Sequence, residues 1–183
     1  ITLGVRGNTD IDLLISSDEI AARGFQIVKT NRGGQATIHN PGQLVIYPIC
    51  NLKILGLGAR DYVCLIERST GSWLASLGLA WSRKVNEPGF FVDGRKLVAF
   101  GFRISKSKTS HGLAINVDNR LTDFELIRTC GIREQPVTSL VQLGLNPAGL
   151  GGLQGIFAGW MNHFKANLED LESFRSCIKT SGS

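Results

Sequence analysis

Four stretches of the sequence gather residue types that could do chemistry. The densest is Arg32-Gly33-Gly34-Gln35-Ala36-Thr37-Ile38-His39-Asn40-Pro41-Gly42-Gln43. Glycines there let a ligand approach the backbone closely, and an Arg can fork onto an acidic or carbonyl group. A tight connection with incidental polar residues has the same composition. His111-Gly112-Leu113-Ala114-Ile115-Asn116 places a His-Gly step at the entrance to an apolar strand. It reads as a pocket edge or as a polar cap on that strand. Lys96 follows the turn Asp93-Gly94-Arg95 and opens another apolar run. A Lys in a cleft can lower the pKa of a cysteine by its charge, or act as a base if its own pKa is depressed. On a surface it would simply snorkel.

The fourth stretch holds a cysteine. Cys130 sits in Thr129-Cys130-Gly131, just after a short helical turn. Gly131 would leave backbone N–H groups open to a bound carbonyl, which suits a nucleophile with a local oxyanion hole. Cys64 falls inside a predicted helix and Cys50 ends an apolar strand, so both read as core. Cys177 lies in the tail and reads as inert. Four cysteines in 183 residues are too few for a disulfide scaffold, and their spacing fits no zinc site. A reduced, intracellular compartment is expected.

The elements that must position these residues are legible in part. Ser16 and Glu19 have capping-box spacing ahead of a short helix that Gly24 ends. Phe25 and Ile27 alternate with polar residues as in a strand. Residues 36–39 and 44–49 look extended, with Pro41-Gly42 between them. The spacing of Tyr62, Ile66, Trp73 and Leu77 predicts a helix over 59–77. Pro88-Gly89 and Asp93-Gly94 read as turns around Phe90-Phe91-Val92. Buried strands are expected over 97–104 and 113–117, and one helical turn over 124–127. Leu153, Ile156, Phe157, Trp160, Phe164, Leu168 and Leu171 form a stripe at helical period. Strands mixed with helices, without regular βαβ alternation, predict an α+β domain with a mixed or mostly antiparallel sheet.

Composition narrows the function classes. A chain of 183 residues with 43% hydrophobic residues can bury a real core and is not a disordered chain. No apolar run reaches the length of a membrane-spanning helix. Basic residues exceed acidic ones by 20 to 15, but they are scattered and lack interleaved aromatics. That argues against nucleic acid and leaves an acidic protein partner or a plain solvated surface. The single Met is Met161 and the chain opens Ile1-Thr2-Leu3-Gly4, as in the remainder of a longer chain or in a processed or engineered one.

Taken together and in order, these segments resemble the octanoyltransferases of lipoate biosynthesis. The resemblance runs from Thr2-Leu3-Gly4 to about Phe164. It is carried by Arg32-Gly33-Gly34-Gln35, Thr37, His39, Pro41-Gly42-Gln43-Leu44-Val45 and Tyr47-Pro48. It continues through Gly94-Arg95-Lys96 with Gly101, His111 to Asn116, Cys130-Gly131-Ile132 and Val137-Thr138-Ser139-Leu140. It implies one domain over 1–183 with the fold of the biotin and lipoate protein ligases, a mixed sheet flanked by helices. It implies an acyltransferase in which Cys130 accepts the acyl chain as a thioester and Lys96 activates it. Arg32, Gly33, Gly34, Gln35, Ala36, Thr37, Ile38 and His39 would line the acyl pocket. So would Ala99, Phe100, Gly101, His111, Gly112, Leu113, Ala114 and Asn116. The implied donor is octanoyl-acyl carrier protein. The implied acceptors are lysines of lipoyl domains of 2-oxoacid dehydrogenase complexes and of the glycine cleavage H protein.

The chemistry implied is coherent. Moving the acyl group from a phosphopantetheine thioester to Cys130 exchanges one thioester for another. Attack by an amine then leaves a more stable amide. No ATP, other cofactor or metal is expected, because the donor is already activated. An acidic carrier protein suits the +5 net charge. A monomer in a bacterial cytoplasm or an organelle matrix is expected. An ATP-using ligase of the same fold, and a non-catalytic domain that binds acyl chains or carrier protein, are the competing readings. Three residues depart from the family pattern: Ile38 where Tyr is usual, Asn40 where Gly is usual, and Thr129 where Pro is usual. Family members also carry a helix and a strand ahead of the segment matching Thr2-Leu3-Gly4.

Overall fold

The sheet that carries the chemistry is assembled from short strands. The structure, a computed structural model, describes residues 1–128 and 136–170. The first third contains β1 (Thr2–Leu3), α1 (Thr9–Asp12), α2 (Ser17–Ala22), β2 (Val28–Lys29), β3 (Ala36–Thr37) and β4 (Gln43–Ile46). The middle contains α3 (Leu52–Leu55), α4 (Ala59–Ser76), β5 (Ser82–Lys84), β6 (Glu87–Val92) and β7 (Arg95–Phe100). Then follow β8 (Arg103–Ser105), β9 (Lys108–Ser110), β10 (Leu113–Asn116), a 3-10 segment (Leu121–Leu126) and α5 (Gly152–Glu169). The main sheet has the order β4-β10-β7-β6-β5 and is antiparallel throughout. A small sheet, β2-β1-β3, contains the parallel pair β1/β2. The α+β class with mixed pairing is therefore as expected.

Two apolar clusters hold these layers. The larger packs α4 and α5 on the main sheet through Tyr62, Leu65, Ile66, Trp73, Phe90, Val98, Ile115 and Trp160. Trp160 donates its indole N–H to Thr70 Oγ1 at 3.1 Å, which satisfies the one polar atom of a fully buried ring. The smaller cluster gathers Ile1, Leu3, Ile20, Ala36, Ile38, Leu126 and Ile127 under α2. The capping box of α2 forms as its sequence predicts: Ser16 Oγ accepts from Glu19 N, and the Glu19 carboxylate accepts from Ser16 N.

Several expectations shift. Pro88-Gly89 lies inside β6 rather than in a turn. The reversal falls at Val85-Asn86, where Asn86 takes φ 64°. The run 97–104 breaks at Gly101-Phe102, where the chain leaves the main sheet to form the β8/β9 hairpin. The α5 stripe is narrower than its apolar content. Ile156, Trp160 and Phe164 are buried at four-residue steps, while Leu153 and Phe157 are exposed at 41% and 38%. Leu171 lies outside the described residues.

The β10 strand enters the sheet at Gly112, where a Cβ would stand 1.9 Å from the Ile46 carbonyl oxygen and 2.9 Å from a Pro48 ring carbon. Only glycine fits without moving the β4/β10 ladder. Gly112→Ala should lower stability by about 1–3 kcal/mol, seen as a drop in thermal midpoint. A midpoint equal to wild type would show that the ladder gives way freely.

Candidate active site

One cleft draws together the segments singled out by sequence. It holds about 630 Å³ of space between atoms, the open solvent at its mouth included. Arg32, Gly34, Gln35, Ala36, Thr37 and His39 line one wall. Ala99, Phe100 and Gly101 come from the end of β7, and His111, Gly112, Leu113 and Ala114 from the start of β10. Lys96 also lines it. Val45, Ala114 and Ala99 are direct cross-strand partners, and Gly89 continues the same row on β6. Residues paired this way face the same side of a sheet. Three of the four are Ala or Gly, and their small size leaves a trough across the strands.

Arg32 organises the wall. It is buried, and its guanidinium donates to Thr2 Oγ1 at 3.1 Å and to the carbonyls of Thr2 (2.6 Å), Gln35 (2.7 Å) and Gly33 (2.9 Å). The main chain repeats the same union: Gly4 N to Gln35 O, Val5 N to Arg32 O, Arg6 N to Gly34 O. The fork expected to grip a ligand therefore also fixes the loop that forms the cleft. A Lys could not reproduce four convergent bonds.

Lys96 sits where the sheet changes partner. The residue is 3% exposed, with Nζ 5.1 Å from the centre of the ring of Phe91, the residue opposite it on β6. Its main-chain N–H donates to Pro136 O at 2.9 Å, and its carbonyl accepts from Thr138 N at 3.0 Å. The segment 136–138 thereby runs parallel to β7 at this point. Asn116 Nδ2 donates to Thr138 O at 3.0 Å. The chain that follows residue 135 is thus tied to both Lys96 and the end of β10.

The two histidines of the cleft are held differently. His39 Nδ1 lies 2.7 Å from Gln43 Oε1. His111, at φ 57°, has Nε2 2.6 Å from Asn31 Oδ1 and its ring edge-on to Tyr47. Burial lowers the pKa of His39, the Gln43 bond opposes this, and the positive Arg32 adds to the lowering. Burial, then Arg32 and Arg103, lower that of His111.

Three expected lining residues are placed elsewhere. Ile38 is fully buried in the smaller core, on the opposite side of its extended segment from Thr37 and His39, which explains an aliphatic residue there. Asn116 is buried and its amide is engaged with Gln43, Asn119 and Thr138 instead of lining the cleft. Gly33 lines an adjoining groove, where a Cβ would stand 2.8 Å from the Phe102 carbonyl oxygen. Cys130, with Thr129 and Gly131, lies outside the described residues, as does Cys177. Cys50 and Cys64 are in no disulfide among the described residues and line no part of the cleft. Burial pushes the Cys50 thiol up, the wrong direction for a nucleophile. Arg6, Val45, Tyr47 and Pro88 also line the cleft. Val45 and Tyr47 stood within the quoted pattern, but only strand pairing brings them here.

Two outcomes follow from this geometry. Arg32→Lys should leave at least one buried carbonyl unpaired and lose about 1–3 kcal/mol, read as a lower denaturant midpoint with an unchanged slope. The second concerns pH. Unfolding returns His39 and His111 toward their ordinary ~6.5, so the unfolded chain binds more protons just below that pH. Stability should therefore fall as pH is lowered from about 6.5. The paired change His39→Gln and His111→Gln should flatten this slope in urea titrations at pH 5 to 7.5. An unchanged slope would place the titration elsewhere.

Residues 1–150 match the lipoyl protein ligase A/B catalytic domain family. The chain is 44% identical over 120 residues to an octanoyltransferase of Chromobacterium violaceum, an overlap of 66% of this chain and 58% of that one. It is 44% identical over 140 residues to a mitochondrial octanoyltransferase of Arabidopsis thaliana, covering 76% and 59%. It thus spans less than three-fifths of the length of these relatives. The fold is similar to a putative lipoate protein ligase from Thermoplasma acidophilum with bound lipoic acid, with TM-score 0.66, 14% identity and coverage of 92% of this chain and 68% of that one. It is also similar to a biotin protein ligase from Aquifex aeolicus in complex with biotin and ATP, with TM-score 0.61, 15% identity and coverage of 94% and 72%. With residues 1–150 matched, the chain belongs to the lipoyl protein ligase A/B catalytic domain family.

Proposed function

We propose that this chain is the catalytic domain of an acyltransferase that moves an octanoyl group from octanoyl-acyl carrier protein to the lysine amine of a lipoyl domain. The observation that carries the reading is a buried lysine lining a trough of small and apolar residues, with the chain that follows Cys130 bonded to that lysine's own backbone. Arg128 ends the described segment before Cys130, its N–H donating to Asp12 O at 2.7 Å, and Pro136 begins the next one on Lys96. Octanoyltransferase names on relatives at 39–44% identity support the acyl group.

In the first step the Cys130 thiolate attacks the donor thioester carbonyl. The bond to the pantetheine sulfur breaks, and that sulfur leaves as thiolate and takes up the proton that the Cys130 thiol released. A free Cys is only a few per cent thiolate at neutral pH, and a neighbouring ammonium such as Lys96 raises that fraction. In the second step the acceptor amine attacks the acyl-Cys130 carbonyl, the amide forms and the sulfur departs. Since the donor thioester already carries the activation, the reading assigns no nucleotide and no metal. The acyl tail lies along the trough of Val45, Ala114 and Ala99. The pantetheine arm enters by the adjoining groove, which shares Arg6, Gly34, Pro88, Phe100 and Gly101 with the cleft and carries Arg83 and Lys84. Glu67, paired with Arg83, and Glu87 line the same groove, so it is the net charge of +5 that favours an acidic carrier. Among the described residues no helix is long and apolar enough to cross a membrane. The reading places the protein in a bacterial cytoplasm or an organelle matrix.

Intact-mass measurement after mixing with octanoyl-acyl carrier protein tests this. The wild type should gain one octanoyl group, Cys130→Ala should gain none, and a lipoyl domain should then receive the group without ATP. Acylation that persists in Cys130→Ala, or transfer that requires ATP, would overturn the mechanism.

A further inference from the structure

The polar groups behind the cleft have only one consistent direction of donation. Thr138 O is a carbonyl and can only accept, so the Asn116 atom 3.0 Å from it is the NH2 group. Asn116 Oδ1 then accepts from Gln43 Nε2 at 2.9 Å. That turns Gln43 Oε1 toward His39 Nδ1, 2.7 Å away. An amide oxygen can only accept, so Nδ1 carries the proton. The other end agrees independently. Asn40 Nδ2 faces two acceptors, Arg120 O at 2.8 Å and Asp123 Oδ2 at 2.7 Å. Its Oδ1 therefore accepts from Asn119 Nδ2 at 3.0 Å, and the same NH2 reaches Asn116 Oδ1 at 3.3 Å. Two fixed ends, a backbone carbonyl and a carboxylate, impose the same orientation on Asn116.

A neutral imidazole protonated on Nδ1 keeps its lone pair on Nε2. His39 lines the cleft with its Nδ1 edge on Gln43. Among the described residues nothing hydrogen-bonds its Nε2. We propose that Asn116 and Gln43 are positioning residues that hold His39 as the Nδ1-protonated tautomer, and that Nε2 takes the proton of the acceptor lysine amine in the amide-forming step. This rests on the acyltransferase reading. The amine arrives neutral, its nitrogen bonds to the acyl carbon and the Cys130 sulfur leaves as thiolate. The amine proton passes to Nε2, and the imidazolium then returns it to the thiolate. The charged groups around the ring are Arg32, and Arg6, Lys96 and His111 of the same cleft. All are cationic or basic, so the ring stays neutral and able to accept. Asn40, in place of the family's usual Gly, extends the relay to Asp123 in this chain.

Long-range proton–nitrogen spectra of the 15N-labelled chain, taken from pH 5 to 8, read the tautomer without any substrate. The wild type should show His39 neutral with the proton on Nδ1, titrating below the ordinary ~6.5. Gln43→Glu should keep that tautomer and raise the titration point, because a carboxylate favours imidazolium. Gln43→Leu should release Nδ1 and move protons to Nε2. A wild-type ring protonated on Nε2, or a titration point unmoved in Gln43→Glu, overturns the relay, and neither depends on Gln43→Leu folding. Mass-resolved single turnovers then separate the half-reactions. His39→Gln should slow transfer from acyl-Cys130 to the lysine by about 10²–10⁴-fold, and acylation far less. Equal slowing of both steps overturns the role of the base. A wild type that never takes up octanoyl refutes the acyltransferase reading itself, whatever tautomer the spectra show.

Discussion

The cleft depends on one contact: the main chain of Lys96 against the chain returning at Pro136 and Thr138. A lysine 3% exposed is costly to bury, and its surroundings must offset the loss of water. Phe91 presents its ring face to the ammonium from the neighbouring strand. The two backbone bonds complete the main-chain pairing of Lys96 at a position where β10 has already ended. Because Thr138 gives its N–H to Lys96 and its carbonyl to Asn116, one residue fixes both the lysine and the start of the relay to His39. Displacing the segment after residue 135 would therefore disturb Lys96 and His39 together.

The two faces of the main sheet divide the work by side-chain size. Phe90, Val98, Leu113 and Ile115 are fully or almost fully buried in the larger core with α4 and α5. The row Val45, Ala114, Ala99 and Gly89 presents little bulk. Filling that row with larger residues would bury more apolar area and stabilise the sheet, but it would close the trough. The wall opposite starts as a loop rich in glycine, and only Ala36 and Ile38 beyond it reach the smaller core. Arg32 replaces packing there with four hydrogen bonds to carbonyl and hydroxyl oxygens and joins the loop to β1. Rigidity on this side is polar, and on the sheet side it is steric.

What the sequence disclosed about this site follows chain locality. Arg32 to His39 and His111 to Ala114 were legible because each contributes several lining residues from one unbroken stretch. Pro88 and Arg6 were not, because nothing local marks a residue brought in by a neighbouring strand or by a loop zipped to Arg32. Ile38 was misplaced although period-two alternation separates it from Thr37 and His39: in an extended segment, neighbours point to opposite faces. The composition of the motif outweighed its geometry. Asn116 ends β10 in register with Gln43, and only that pairing reveals that its amide faces the relay. The long helices were legible from period, and the short α2 from its capping box. The strands were legible in part: β3, β4, β7 and β10 overlap runs read as extended, but Pro88-Gly89 carries a turn signature yet sits in β6, where Gly89 at φ 141° lets the backbone pass the Val98 carbonyl.

The relay also carries a cost that bears on what it does. Asn119 Oδ1 is buried with no hydrogen-bond partner, a penalty of roughly 1–3 kcal/mol. Turning the Asn119 amide over would put its oxygen against Asn40 Oδ1 and Asn116 Oδ1, so the same polarity that serves the other members strands this atom. Reversing Asn40 would instead aim its oxygen at Asp123 and the Arg120 carbonyl. Every alternative sets an acceptor against an acceptor, so the observed arrangement is the least costly one available to these residues. A core built for stability alone could replace the set with apolar side chains at little loss. Keeping a buried amide chain with one unsatisfied oxygen is understandable if its orientation matters at the end that faces the cleft, and that end is His39.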